Sequence, residues 1–163
     1  MMTSEAVIPQ TFSHPGSQTK QNLVSDDLVR LETSGRDSYV LIVDDDPDAR
    51  EVFCLAIRSM GLASQEAKNG IEALEMIRAQ RPALILLDLM MPLMDGFQVL
   101  THLRSDPRTR TVPVVVVTGI RDGVEMLRLP GVTHVLVKGS YKIAQIRQLV
   151  AQILAGTSAS VAL

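Results

Sequence analysis

The chain has 163 residues, 46% apolar and 21% charged, which is enough for one ordinary domain with a core and too apolar for a disordered or fibrous chain. A formal net charge of -2 lacks the basic excess of a nucleic-acid-binding face, and no Lys/Arg cluster appears along the chain. The lone cysteine, Cys54 in "EVFCLAI", excludes an internal disulfide and a Cys-based zinc cage, and reads as a small buried hydrophobe.

In chain order, "MMTSEAVIPQTFSHPGSQTK" has no basic n-region and no apolar h-region, so no secretory signal is expected. The longest apolar runs, "ALILL" and "VPVVVV", are too short to span a bilayer, so no membrane association and a cytoplasmic location are expected. Residues 1–37, rich in Ser, Thr, Gln, Pro and Gly, read as a flexible N-terminal extension; Ser25 could cap a short helix carrying Leu28, Val29 and Leu31. Residues 38–155 read as one domain and 156–163 as a C-terminal tail. Strands are predicted at 39–43, 63–67, 84–87, 113–117 and 133–137, the second weakly patterned, and helices at 48–60, 70–80, 96–104, 122–128 and 141–155. Strands of continuous Val, Ile and Leu alternating with helices predict an α/β fold: a doubly wound, five-stranded parallel sheet whose right-handed crossovers put helices on both faces.

In such sheets ligands bind outside the carboxyl ends of the strands. There the first predicted strand meets Asp44, Asp45 and Asp46, the third Asp88, the fourth Thr118 and the fifth Lys138. Crowded carboxylates repel one another and stay charged only beside a cation. An all-oxygen set selects a hard ion, and Mg²⁺ is favoured because it needs few protein carboxylates. Asp46 before Pro47 has the pattern of an N-cap with proline at the first helical position, which leaves Asp44 and Asp45 to the metal. A metal, an ammonium (Lys138) and a hydroxyl (Thr118) around a carboxylate form a site for phosphoryl oxygens, with Asp88 as the nucleophile.

"LIVDDD", "LILLDLMMPLMDG", "PVVVVTG", "HVLVK" and "NGIEALEMI" resemble the receiver domain of bacterial response regulators over about residues 38–155. The resemblance implies a flavodoxin-like sheet of strand order 2-1-3-4-5. It implies that Asp88 accepts a phosphoryl group from a sensor histidine kinase or histidine phosphotransfer protein. Mg²⁺ would be held by Asp45, Asp88 and the backbone carbonyl of Met90, with Asp44 acting mainly through water, while Thr118 and Lys138 grip the phosphoryl group. The expected protein is a stand-alone response regulator, not a turnover enzyme. It would act by docking on an unidentified downstream protein without nucleic acid, and homodimer formation is left open.

Two positions depart from that family. Val135 replaces the usual aromatic residue before the lysine, and Gly139 the usual proline after it, so the Lys138–Gly139 peptide is expected to be trans. Output is therefore expected through another surface, with Tyr141 as a candidate. Met90 and Ile120, each two residues beyond a site residue, are apolar and cannot orient an attacking water, which predicts slow self-dephosphorylation. A haloacid-dehalogenase-type phosphatase would need an Asp where Met90 stands, and a flavodoxin would need a phosphate loop that "DDDPD" would repel. The remaining alternative is a receiver-like module that signals without phosphorylation.

Overall fold

The computed structural model describes residues 38–119 and 130–159. Along the chain these form β1 (Tyr39–Val43), α1 (Pro47–Arg58), β2 (Ala63–Ala67), α2 (Gly70–Ala79), β3 (Leu84–Asp88), α3 (Gly96–Ser105), β4 (Val114–Thr118), β5 (His134–Val137) and α4 (Ile143–Ala159). The helices expected near Ser25 and over 122–128 lie outside the described residues.

The five strands make one parallel sheet of order β2-β1-β3-β4-β5, the flavodoxin-like order. Successive strand side chains point to opposite faces, and both faces of this sheet are covered. Tyr39, Leu41 and Val43 of β1 pack with Leu74 and Ile77 of α2 and Val99 and Leu103 of α3. Val40 and Ile42 pack on the other side with Phe53 and Ile57 of α1 and Ile146 and Val150 of α4. Burying each such Leu, Ile or Phe side chain contributes about 1.5–3 kcal/mol, and the central strands are therefore continuous apolar runs. Strand β2, "ASQEA", is legible only weakly because it is an edge strand with most of its side chains outside the core. Its pairing with β1, from Tyr39↔Ala63 to Val43↔Ala67, defines it more than its composition does. Cys54 is buried against the α1 side of the sheet, as expected of a small hydrophobe.

Helix starts follow local chemistry. Asp46 caps α1 by accepting from the Asp48 N–H at 3.0 Å, with Pro47 first in the helix. Asp95 and Gln98 form a reciprocal capping box at α3, Asp95 accepting from the Gln98 N–H at 2.8 Å and donating its own N–H to Gln98 Oε1 at 3.1 Å. Helix α4 departs from the predicted span: it begins at Ile143 and not at 141, because Gln145 Oε1 reaches back to the Lys142 N–H at 2.8 Å and makes Lys142 the cap. It continues to Ala159 through Gly156, since an interior glycine costs a helix only about 1 kcal/mol and need not stop it.

Between β5 and α4, the Ser140 N–H donates to the Val137 carbonyl at 3.0 Å and closes a four-residue turn whose third residue, Gly139, has φ of 79°. A type II turn requires φ > 0 at this place, which glycine adopts without steric cost. The Lys138–Gly139 peptide is trans, as expected. Proline fixes φ near −65°. Gly139→Pro should therefore destabilise the fold by about 2 kcal/mol or more; urea unfolding with an unchanged midpoint would refute this turn assignment.

Candidate functional site

The strand register brings the predicted residues together. Val43 pairs with Leu87, Asp88 with Val117, and Thr118 with Val137, so Asp44, Asp88, Thr118 and Lys138 stand at adjacent strand ends. Asp44, Asp88 and Thr118 are buried at 1%, 2% and 0% relative exposure, whereas Asp45 is exposed beside them. Lys138 arrives from the far side of the sheet, its backbone N–H held by the Thr118 carbonyl at 2.7 Å. Its ammonium lies 2.6 Å from Asp88 Oδ2 and 2.8 Å from Asp44 Oδ2.

Burial and the ammonium act oppositely on this cluster. Burial pushes the Asp44 carboxyl above the usual carboxylate range and outweighs the hydrogen bonds from Lys138 and the Asp46 N–H. Burial opposes the charge on Lys138, but hydrogen bonds and attraction from Asp44 and Asp88 prevail and raise its pKa. The Met90 N–H donates to Asp88 Oδ1 at 3.2 Å, and the Asp46 N–H to Asp44 Oδ1 at 2.9 Å.

The carboxylates suit a hard cation. One ligand oxygen from each of Asp44, Asp45 and Asp88 can be chosen so that all lie within 4.8 Å of one another. Asp44 Oδ2 is buried with no hydrogen-bond donor, because Lys138 hydrogen-bonds Oδ1 at 3.1 Å and touches Oδ2 only as an ion pair. A buried carboxylate that shares one ammonium with Asp88, beside the further carboxylate of Asp45, carries excess negative charge that fits Mg²⁺.

Several residues that hold the site escaped the sequence reading. Arg50 donates from Nη1 to the Asp44 and Asp45 carbonyls at 2.8 and 3.2 Å, and its Nε bonds Glu66 at 3.3 Å, which fixes the acidic turn after β1. Its position four residues after the Asp46 cap was the only sequence signal. Gly96 completes the loop after Asp88: a Cβ there would lie 2.2 Å from the Asp88 carbonyl oxygen and 2.8 Å from Leu89 Cα. The glycine of "MMPLMDG" is thus set by the approach of α3 to the backbone of Asp88, with the Gly96 N–H bonding the Leu89 carbonyl at 3.0 Å. Met90 is 64% exposed at the mouth of the site, and Ile120 lies outside the described residues. Val135 is half-buried against the α2–α3 side of the core, where it fills space without a rotatable ring. Tyr141 is half-buried, its ring 5.5 Å from that of Phe53; burial chiefly raises its hydroxyl pKa, with Lys138 opposing the rise and Asp44 and Asp88 adding to it.

Removing the ammonium strands two buried carboxylates. Lys138→Met should cost about 2–4 kcal/mol at pH 8, below the cost for a fully buried pair because the lysine is 28% exposed. A carboxyl whose folded pKa is raised favours folding more as pH falls. Asp44 can then take a proton in place of the ammonium, and the loss should shrink at pH 5; urea titrations of both proteins at both pH values provide the check.

Residues 40–153 match the family model described as the response regulator receiver domain. The chain is 39% identical over 88 residues to the DNA-binding response regulator MtrA of Mycolicibacterium smegmatis, a match covering 54% of this chain and 37% of MtrA. It is 38% identical over 81 residues to the DNA-binding dual master transcriptional regulator RpaA of a Synechocystis strain, covering 50% and 34%. The matches therefore span little more than a third of these curated relatives. Among solved structures, the signal receiver domain of a signal transduction histidine kinase from Syntrophus aciditrophicus superposes with a TM-score of 0.67 at 30% identity, covering 73% of this chain and 91% of that one. No helix among the described residues is long and apolar enough to cross a membrane. With an acidic cluster suited to magnesium and to phosphorylation at the expected strand ends, the chain belongs to the response regulator receiver-domain family of two-component signalling.

Proposed function

We propose that Asp88 is the phosphoacceptor of a stand-alone response regulator, which takes a phosphoryl group from the phosphohistidine of a sensor kinase or histidine phosphotransfer protein and signals by docking on another protein. The observation that carries this reading is the buried Asp88 carboxylate, 2.6 Å from the Lys138 ammonium and beside the acidic pair after β1. An Asp88 carboxylate oxygen attacks phosphorus, the P–N bond breaks, and its electron pair leaves with the imidazole, which takes up a proton. Lys138 shifts from the carboxylate toward the equatorial phosphoryl oxygens, and Thr118 donates its hydroxyl to another of them. Asp44, Asp45, Asp88 and the Met90 carbonyl would hold Mg²⁺, which when bound offsets the negative charge gathered on the carboxylates and the phosphoryl group. The chain turns over nothing: it ends as a phosphoprotein whose bound group changes what it contacts.

A second reading, signalling without phosphorylation, is favoured only by Val135 and Gly139, which replace residues of the usual relay. Intact-protein mass spectrometry after incubation with Mg²⁺ and acetyl phosphate separates the two. The wild type should gain the mass of one phosphoryl group and Asp88→Asn none; no gain on the wild type, with Mg²⁺ binding absent by calorimetry, would favour the second reading.

The apolar residues two positions after Asp88 and Thr118 in the sequence set the lifetime of the phosphoryl group. Met90, exposed at the site mouth, and Ile120 offer no group to orient water, so Met90→Asn with Ile120→Glu should shorten the phosphoaspartate half-life by about tenfold or more. An unchanged decay of the phosphorylated mass peak would overturn this assignment.

A further inference from the structure

We infer that the pole of the domain opposite Asp88 binds an acidic protein segment carrying an aliphatic anchor residue. In this parallel sheet the helices end where the strands begin, so α2 and α3 deliver their last turns to the end of the sheet away from the aspartates. Arg78 and Arg104 lie in those last turns, Arg81 in the connection to β3, and Arg108 and Arg110 in the connection to β4. Arg81 Nη2 bonds Thr111 Oγ1 at 2.9 Å and so joins the two connections. Folding thereby gathers five arginines that no single stretch of sequence contains.

Their charge is little neutralised. Arg108 pairs with Asp106 at 3.2 Å, but Arg78, Arg81 and Arg110 are exposed with no ion pair among the described residues. Arg104 is anchored by the carbonyls of Arg110, Val112 and Gly131 with no carboxylate partner among the described residues, and its Nε is buried without an acceptor. Arg78 and Arg104 complement the negative ends of their helices. That role does not extend to Arg81, Arg108 and Arg110, which lie in loops. Among the described residues charge is thus separated, with Asp44, Asp45 and Asp88 at the strand carboxyl ends and these five arginines at the opposite pole.

Between α2 and α3 the same pole holds a cleft of about 110 Å³. Its apolar floor is Leu74, Ile77 and Leu103, all buried; Thr109 also lines it, and Arg78, His102, Asp106 and Arg108 stand at its rim, where Asp106 pairs with Arg108 and Arg78 has no ion pair among the described residues. A cleft of this size takes a single aliphatic side chain. Among the described residues no Phe, Tyr or Trp lines it, and the His102 ring at its rim is the one group there on which a nucleic-acid base could stack. An aliphatic notch beside Arg78, with Arg81 and Arg110 exposed at the same pole, instead matches a Leu, Ile or Met flanked by Glu or Asp, with these arginines reading the carboxylates. This site is separate from the phosphoacceptor and does not depend on its chemistry.

The test is a methyl and amide NMR titration of the full chain with a pentapeptide of one leucine flanked on each side by two glutamates. The controls are an all-glutamate pentapeptide and a decathymidine oligonucleotide. Saturable shifts at the Leu74, Ile77 and Leu103 methyls are expected, with affinity falling about tenfold in Arg78→Glu with Arg108→Glu. Should that variant unfold, Arg78→Gln with Arg108→Gln gives the same readout with a smaller loss. No shift up to millimolar peptide, unchanged affinity in the folded variant, or equally tight binding of either control would overturn the proposal.

Discussion

Two carboxylates that cannot reach bulk water, Asp44 and Asp88, share one ammonium, and much of the domain serves to hold that arrangement. Isolated, each buried charge would cost several kcal/mol and would be shed by protonation. Lys138, 2.6 and 2.8 Å away, offsets this cost. It can do so because parallel pairing ends β1, β3, β4 and β5 at one rim, although Asp44 and Lys138 are 94 residues apart in sequence. One positive charge among Asp44, Asp45 and Asp88 leaves the site net negative, which suits it to a divalent cation and then to a phosphoryl group.

The supporting residues act on backbone more than on charge. Arg50 clasps the carbonyls of Asp44 and Asp45. Gly96 lets α3 approach the Asp88 carbonyl closer than any side chain would allow. Gly139 turns the chain immediately after Lys138 at a φ that proline cannot adopt. The two departures from the usual pattern thus have local reasons: a glycine where the turn runs through positive φ, and a half-buried valine packed against the core. Tyr141, its ring tilted against that of Phe53 beside the charged cluster, is the aromatic residue nearest in sequence to Val135.

The same parallel topology that concentrates acid at one rim concentrates base at the other. Strand ends carry the aspartates, whereas helix ends and the loops after them carry the arginines. Net charge, being a sum, hides this separation.

Much of the domain was legible before any coordinates. Continuous apolar runs at β1, β3 and β4 announced buried parallel strands, and acidic or hydroxyl residues directly after them announced the site, because both signals are local in sequence. The Asp46–Pro47 cap was legible for the same reason. Other features depended on distant partners: the edge strand β2, defined by its ladder to β1; the start of α4, set by Gln145 reaching back to Lys142; the grip of Arg50; the need for Gly96; and the arginine pole. By itself, then, the sequence determined the sheet, its order through the family resemblance, and which candidate site residues stand at the strand ends, because periodicity and strand-end chemistry are written along the chain. Only the tertiary structure decided which charges neutralise one another and which remain open, because ion pairing and close packing depend on distances across space that no spacing in sequence encodes.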